Sequence, residues 1–377
     1  MARTLSLAVV GPGWPLRGGI AQYSTKLHEE LARHHKVLHV SYARQYPDLL
    51  FPGKTQLDLG AKPEGAAAEP ILDSVGPLSW RRAADRIGEA GVTHAIFMWW
   101  HPFFGPCLGT LARMLQRREI PVTFLCHNVV PHEGSGLTRV MSRWAFAPAR
   151  AFIVHAGELT GALAELAPKG AKIEASPHPI YDQYGKPPPV AEARAKLGLT
   201  TARVLLFFGL IRAYKGVTTL IRAFGLIARE DPDITLVIAG ECYDPEAPYR
   251  KLIAELGLEA RVRFENRFIQ NEEVATYFAA ADVVTLPYHT ASASGVIPIA
   301  YAMDRPVVAT RVGGLPEVVF EGETGTLVPP QDVEALAAAV RAVLARGAPS
   351  YAAGIAARRG LFTWSRMRKV IEKIASR

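Results

Sequence analysis

Residues 283–319 read VVTLPYHTASASGVIPIAYAMDRPVVATRVGGLPEVV, and their order of residue types decides the fold. Val283 to Leu286 are apolar and mostly β-branched, as in a buried strand; small and polar residues follow, then a helix-compatible run from Gly295 to Met303. A second short strand, Pro306 to Thr310, leads into a Gly313-Gly314 turn. Strand, tight loop, helix and strand again is the grammar of a parallel sheet. Ser292, Ala293, Ser294 and Gly295 are too small to obstruct a ligand. The first amides of the helix they open lack intrahelical partners, so Ser294, Gly295 and Val296 are candidates to hold a phosphate or diphosphate. Ser294 acting only as a helix cap is the simpler reading of this loop taken alone.

The same grammar runs outward in both directions. Leu5 to Val10 is a short apolar strand entering GPGWPLRGGIAQYSTKLHEELA, a glycine-rich turn and an amphipathic helix. Gly11 and Gly13 start like a dinucleotide fingerprint, but the next glycines, Gly18 and Gly19, fall too far on for G-x-G-x-x-G, which disfavours a nicotinamide or flavin site. Strands are expected at 94–100, 121–128 and 151–156 and in KIEASPHP, with helices near 80–90, 108–117 and 137–146; Arg44 to Pro77 reads as loops around one strand. PIYDQYGKPPPVAEARAKLGL has linker composition. Beyond it strand and helix alternate afresh, ending in a basic helix near Trp364 to Ala375. The expected organisation is α/β: a doubly wound domain at 1–183, a second at 184–360, and a terminal helix at 361–377, the two domains facing a central cleft.

The chain has 377 residues, 49% of them hydrophobic, and a formal net charge of +8, enough apolar residues for two cores and an excess that favours anionic company. The basic residues are interleaved with apolar ones and show no nucleic-acid-binding signature, so no nucleic-acid partner is expected. No apolar run reaches the roughly 18 residues that span a bilayer, and the chain opens into a glycine loop instead of a cleavage site, so a cytoplasmic location is expected. Cys107, Cys126 and Cys242 lack metal-ligand spacing and read as free thiols.

Two sets of residues at expected strand ends carry candidate chemistry. FFGLIRAYKGV places Gly209 at a turn and Arg212 and Lys215 beyond it, where two cations could hold a diphosphate and stabilise the charge that develops as it leaves. In the first half His101, His127 with His132, His155, and His178 each follow a strand, and Glu133 and Glu158 stand beside two of them. None has zinc-ligand spacing. Arg139, Arg143, Trp144 and Arg150 mix bases with apolar residues, as a surface touching an anionic membrane would.

These motifs together resemble the retaining glycosyltransferases of the GT-B fold, family 4: a glycine-rich first loop, F-G-x-I-R-x-Y-K-G opening the second half, and A-S-x-S-G-V followed by P-V-V-A-T-x-V-G-G-L-P-E. The resemblance covers most of the chain and is strongest in the second half. It implies hexose transfer from a nucleoside-diphosphate sugar to an acceptor hydroxyl on a glycan, lipid-linked or small-molecule acceptor, with retention of configuration and without a metal. It implies that Gly18 and Gly19 lie near the donor phosphates and acceptor, that Arg212 and Lys215 bind the diphosphate, and that His127 contacts the transferred sugar; Gly209, Ser294, Gly295, Val296 and Glu317 are the further expected donor contacts, from their own places in the chain. His101, His132, Glu133 and His155 are the expected acceptor or sugar side. It also implies that the last helix crosses back to the first domain, and peripheral association with the inner membrane face accords with a lipid-linked acceptor. One departure stands out. Many relatives carry an E(x)7E motif in the opening stretch, whereas Ala291–Ser294 and Ile299–Tyr301 hold no carboxylate, which suggests a subgroup pattern. A non-catalytic nucleotide-sugar-binding partner, or a nucleotide-sugar 2-epimerase, are the alternatives this departure leaves open.

Overall fold

The computed structural model describes residues 4–47, 49, 51, 55–58, 60, 62, 66–129, 136–180 and 183–376. The chain forms two compact units, one of Met1–Pro177 with Trp364–Arg377 and one of His178–Thr363.

The first unit is built on seven strands: β1 (Ser6–Val10), β2 (Lys36–Arg44), β3 (Ala68–Asp73), β4 (His94–Trp99), β5 (Val122–Cys126), β6 (Ala151–Val154) and β7 (Lys172–Ala175). They pair in the order β3-β2-β1-β4-β5-β6-β7, all parallel. Helices α1 (Gly19–Ala32), α2 (Pro77–Glu89), α3 (Gly105–Gln116), α4 (Gly136–Phe146) and α5 (Leu159–Ala164) supply the crossovers. The central strands are continuous apolar runs because helices cover both faces. Val10, Phe97 and Phe124 pack on one face with Leu108 and Leu111 of α3. On the other, Val9, Ile96 and Met98 meet Tyr23, Leu27 and Leu31 of α1.

The terminal helix, α13 (Trp364–Ala375), belongs to this second layer. Met367, Ile371 and Ile374, spaced four and three apart, are buried against the same core as α1. Polar edges reinforce the pairing. Arg368 of α13 meets Glu30 at 3.0 Å and its own Glu372 at 2.6 Å, and His35 Nε2 lies 3.0 Å from Glu372.

The second unit has six strands, β8 (Arg203–Phe208), β9 (Ile234–Ala239), β10 (Val262–Glu265), β11 (Val283–Leu286), β12 (Val307–Thr310) and β13 (Gly325–Val328), in the parallel order β10-β9-β8-β11-β12-β13. Around them lie α6 (Val190–Lys196), α7 (Val217–Glu230), α8 (Ala247–Glu255), α9 (Asn271–Ala280), α10 (Val296–Ala302), α11 (Val333–Arg346) and α12 (Ala352–Arg358). In each sheet the order reverses beside the first strand: between β1 and β4 in one, between β8 and β11 in the other. Open α/β sheets bind ligands outside the carboxyl ends of the strands at such a switch point.

The linker expectation needs correction in its second half. VAEARAK is α6, and Arg194 fastens it by an ion pair to Asp282 at 2.6 Å and hydrogen bonds donated to the carbonyls of Ala280 and Ala202. Pro189 stands just before the helix, where a missing amide hydrogen costs nothing. The run of prolines disguised a helix start as a spacer.

Candidate functional site

The switch point of the second unit is where the opening stretch lies. Three loops meet there: residues 209–216 after β8, 287–295 after β11, and 311–314 after β12. They interlock through backbone. His289 N–H donates to the Tyr214 carbonyl at 2.7 Å, and Gly314 N–H donates to the Ser292 carbonyl at 3.2 Å. Two glycines are required for this approach. A Cβ on Gly216 (φ 68°) would stand 1.8 Å from the Pro287 oxygen, and one on Gly313 (φ 49°) 1.6 Å from the Ala291 oxygen. Thr310 hydroxyl donates to the Tyr288 carbonyl at 2.6 Å, anchoring the middle loop to β12.

Arg212 and Lys215 flank a short 3₁₀ turn in the first of these loops, and both are half-buried. Arg212 lies over the Tyr243 ring, 5.0 Å from its centroid, and the Lys215 ammonium over the Tyr288 ring at 3.8 Å. Among the described residues no carboxylate pairs with either cation. Elsewhere in the unit Arg194, Arg203, Arg267 and Arg358 meet acidic partners at 2.6, 2.8, 2.6 and 2.7 Å. The nearby Asp244 carboxylate accepts the Ala213 amide at 2.6 Å. Burial works against the charge of Lys215, but the phenols of Tyr288 and Tyr214 outweigh it and hold the ammonium above its ordinary pKa. Two cations seated on aromatic rings and unneutralised by protein make a site for an anion.

The small-residue loop is tighter than expected. Ser292 and Ser294 are buried, and Val296 N–H donates to Ser294 Oγ at 3.2 Å, so one of the three expected amides is already engaged. The helix it opens, α10, has seven residues. Gly209 (φ 108°) follows β8, and Glu317, itself exposed, closes the 3₁₀ turn after Gly314, whose Leu315 is buried.

In the first unit the expected residues fall into an open glycine turn and a pair of adjacent buried histidines. Gly18 and Gly19 open α1, and nothing within 4 Å would meet a Cβ on either, so the loop presents free space at the carboxyl end of β1. His127 follows β5 and is buried, its amide donating to the Trp99 carbonyl at 2.8 Å and its ring edge-on to Tyr23 at 4.6 Å. His155 follows β6 with its centroid 5.1 Å from that of His127. Its Nδ1 lies 3.1 Å from the Ser176 carbonyl, and burial depresses its pKa to about 4, so it is a neutral, bonded imidazole. His101 is exposed and accepts the Phe103 amide as a turn cap. His178 belongs to the second unit. Glu158 is exposed just ahead of α5. His132 and Glu133 lie outside the described residues.

Sequence reasoning missed Tyr288, Tyr243 and Tyr23. Each is an aromatic near a strand end or on an apolar helix face, a position that ordinarily signals core. The signal that could have found Tyr288 is its place, two residues past β11 and immediately ahead of the small-residue loop.

Two doubly wound parallel-sheet units, the second with a cation-lined site at its switch point, define the GT-B class. Sucrose-phosphate synthase from Thermosynechococcus elongatus superposes with a TM-score of 0.76 at 22% identity, covering 98% of each chain, and HepE of Anabaena in complex with UDP-glucose with 0.76 at 20%, covering 98% of this chain and 99% of that one. A family model described as glycosyl transferases group 1 matches residues 202–346. The GDP-mannose-dependent alpha-(1-6)-phosphatidylinositol monomannoside mannosyltransferase of Mycolicibacterium smegmatis is 31% identical over 307 residues, 78% of this chain and 69% of that protein. The D-inositol 3-phosphate glycosyltransferase of Corynebacterium glutamicum is 39% identical over 158 residues, 40% of this chain and 38% of that one. The matches to it and two similar inositol-phosphate glycosyltransferases span only 38%, 34% and 42% of those relatives' lengths. The chain belongs to the group 1 glycosyltransferases.

Proposed function

We propose that this chain transfers a hexosyl group from a nucleoside-diphosphate sugar to an acceptor hydroxyl, with retention of anomeric configuration. The observation that carries this reading is the pair Arg212 and Lys215, cations at a switch point with no carboxylate partner among the described residues. A departing nucleoside diphosphate develops negative charge, and preorganised cations stabilise it without reorganisation. Two fixed cations supply the stabilisation that a divalent ion gives elsewhere, so the reaction proceeds without a metal. Residues 287–303 contain no Asp or Glu to act as a nucleophile. Attack of the acceptor on the face that the diphosphate leaves, with a phosphate oxygen taking the acceptor proton, therefore accounts for retention. Gly209, the Ser294–Val296 loop and Glu317 belong to the donor side, Gly18 and Gly19 complete it, and His127 contacts the transferred sugar.

Two of the similar proteins bear on the donor: the GDP-mannose-dependent mannosyltransferase and HepE in its complex with UDP-glucose. The acceptor hydroxyl belongs to a glycan, a lipid-linked or a small-molecule acceptor, and a lipid-linked one would be reached at an anionic membrane surface touched by α4. No helix among the described residues is long and apolar enough to cross a membrane, so such contact is peripheral.

The experiment is a thermal-shift panel of UDP-, GDP- and ADP-sugars, followed by turnover with the donor it selects. Lys215→Ala is expected to lower kcat by tenfold or more, about 1.4 kcal/mol of transition-state stabilisation per decade. A smaller loss contradicts the role of Lys215. Binding of a sugar nucleotide with neither transfer nor hydrolysis would favour the non-catalytic partner.

A further inference from the structure

We propose that Tyr288 is a positioning residue for the anion site: its ring seats the Lys215 ammonium and its hydroxyl reaches Ser294 on the neighbouring loop. This rests on the reading of Arg212 and Lys215 as diphosphate ligands. The geometry is specific. Lys215 Nζ stands 3.8 Å from the Tyr288 ring centroid, closer than to Tyr214 at 5.4 Å, and the Tyr288 phenol favours the charged form of the ammonium. The phenol oxygen is 3.5 Å from Ser294 Oγ, which in turn holds the Val296 amide. Tyr288 is 1% exposed and pinned on both sides, its carbonyl by Thr310 and the preceding Pro287 carbonyl by the close approach of Gly216.

Tyr288 therefore occupies the place where a lysine ordinarily finds a carboxylate. A carboxylate would orient Lys215 equally well but cancel its charge, and the ligand would have to displace it. A neutral phenol orients the ammonium and leaves its charge for the ligand. The π-face adds attraction without a counter-charge. The other groups facing Lys215 are Tyr214 and Arg212, while His289, whose Nε2 lies 3.2 Å from the Thr219 hydroxyl, has a pKa lowered by burial and is neutral. Tyr288 thus joins the loops after β8 and β11, and a ligand held by Lys215 is held in register with the Ser294 loop.

The test reads Lys215 directly. Amine acetylation by acetic anhydride, quantified by peptide mass spectrometry between pH 7 and 10.5, is compared with exposed Lys251 in the wild type and in Tyr288→Phe, with far-UV circular dichroism as the fold control. Lys215 in the wild type is expected to react only at higher pH than Lys251. Loss of the hydroxyl in Y288F removes one support of the charged form, so at pH 9 Lys215 is expected to react about threefold faster or more, with Lys251 unchanged. Wild-type kinetics at Lys215 in Y288F overturn the proposal. If the variant fails to fold, coincident pH profiles of Lys215 and Lys251 in the wild type overturn it equally. Adding UDP, GDP or ADP separates the two readings: protection of Lys215 supports both, and faster reaction in Y288F with protection by none of the three upholds the tyrosine contact while removing the diphosphate assignment.

Discussion

Lys215 and Arg212 owe their chemistry to what surrounds them more than to their own identity. A surface lysine or arginine is ordinarily solvated or paired, and most described arginines of the second unit follow that pattern. These two rest on Tyr288 and Tyr243 instead. Residue type and spacing singled them out; the absence of a carboxylate partner became visible only with side chains in place. The histidines show the converse. Buried His39, His94 and His155 have pKa values depressed to about 3, 4 and 4, chiefly by desolvation. Unfolded, each titrates near 6.5. Between pH 6.5 and 4 the unfolded chain binds protons that the folded chain refuses, so stability is fully present above about pH 6.5 and falls as pH drops, by ~1.4 kcal/mol per pH unit for each histidine. Denaturant midpoints at pH 7, 6 and 5 should therefore decline steeply, and His155→Gln should flatten the decline. A midpoint constant from pH 7 to 5 would show that these imidazoles are protonated in the fold. His155 is one of these buried, neutral imidazoles and adjoins His127.

At the scale of elements, the strands were legible because parallel strands covered on both faces read as unbroken apolar runs. β4, β5 and β6 fall within the expected 94–100, 121–128 and 151–156. Helix ends were less legible, since capping and packing decide them: α2 begins at Pro77 instead of near Trp80, and α6 hides behind three prolines. The element whose exposure bears on the proposed membrane contact is α4. Leu137, Val140 and Trp144 lie at i, i+3 and i+7 and are 67, 62 and 43% exposed. The basic residues beside them are partly spent, with Arg139 3.1 Å from Glu165 and Arg113 stacked 4.0 Å from the Trp144 ring. Membrane binding by α4 is therefore expected to depend more on insertion of these apolar side chains than on charge. Replacing Leu137 and Val140 by serine should reduce co-sedimentation with phosphatidylglycerol-containing vesicles about tenfold or more, from the apolar area withdrawn from water. Equal sedimentation of the double variant and the wild type, or none for either, would remove α4 from the membrane.

For the molecule as a whole, the account reduces to two sheets, each reversing strand order beside its first strand, and one reversal lined by cations. The two-unit architecture was readable because strand-helix grammar restarts after residue 200. The donor base and sugar were not readable, because the residues that mark the site, Arg212, Lys215 and the Ser294–Val296 loop, suit the diphosphate that every such donor shares. The central claim is that Arg212 and Lys215 bind a diphosphate. Titration calorimetry of UDP, GDP and ADP against their parent nucleosides, with the wild type and an Arg212→Ala, Lys215→Ala double variant, tests it directly. The account predicts that one diphosphate binds the wild type at least about a hundredfold more tightly than its nucleoside, each charge-assisted contact contributing about 1.5–3 kcal/mol, and that the double variant loses most of that preference. A diphosphate preference that survives removal of both cations would contradict it.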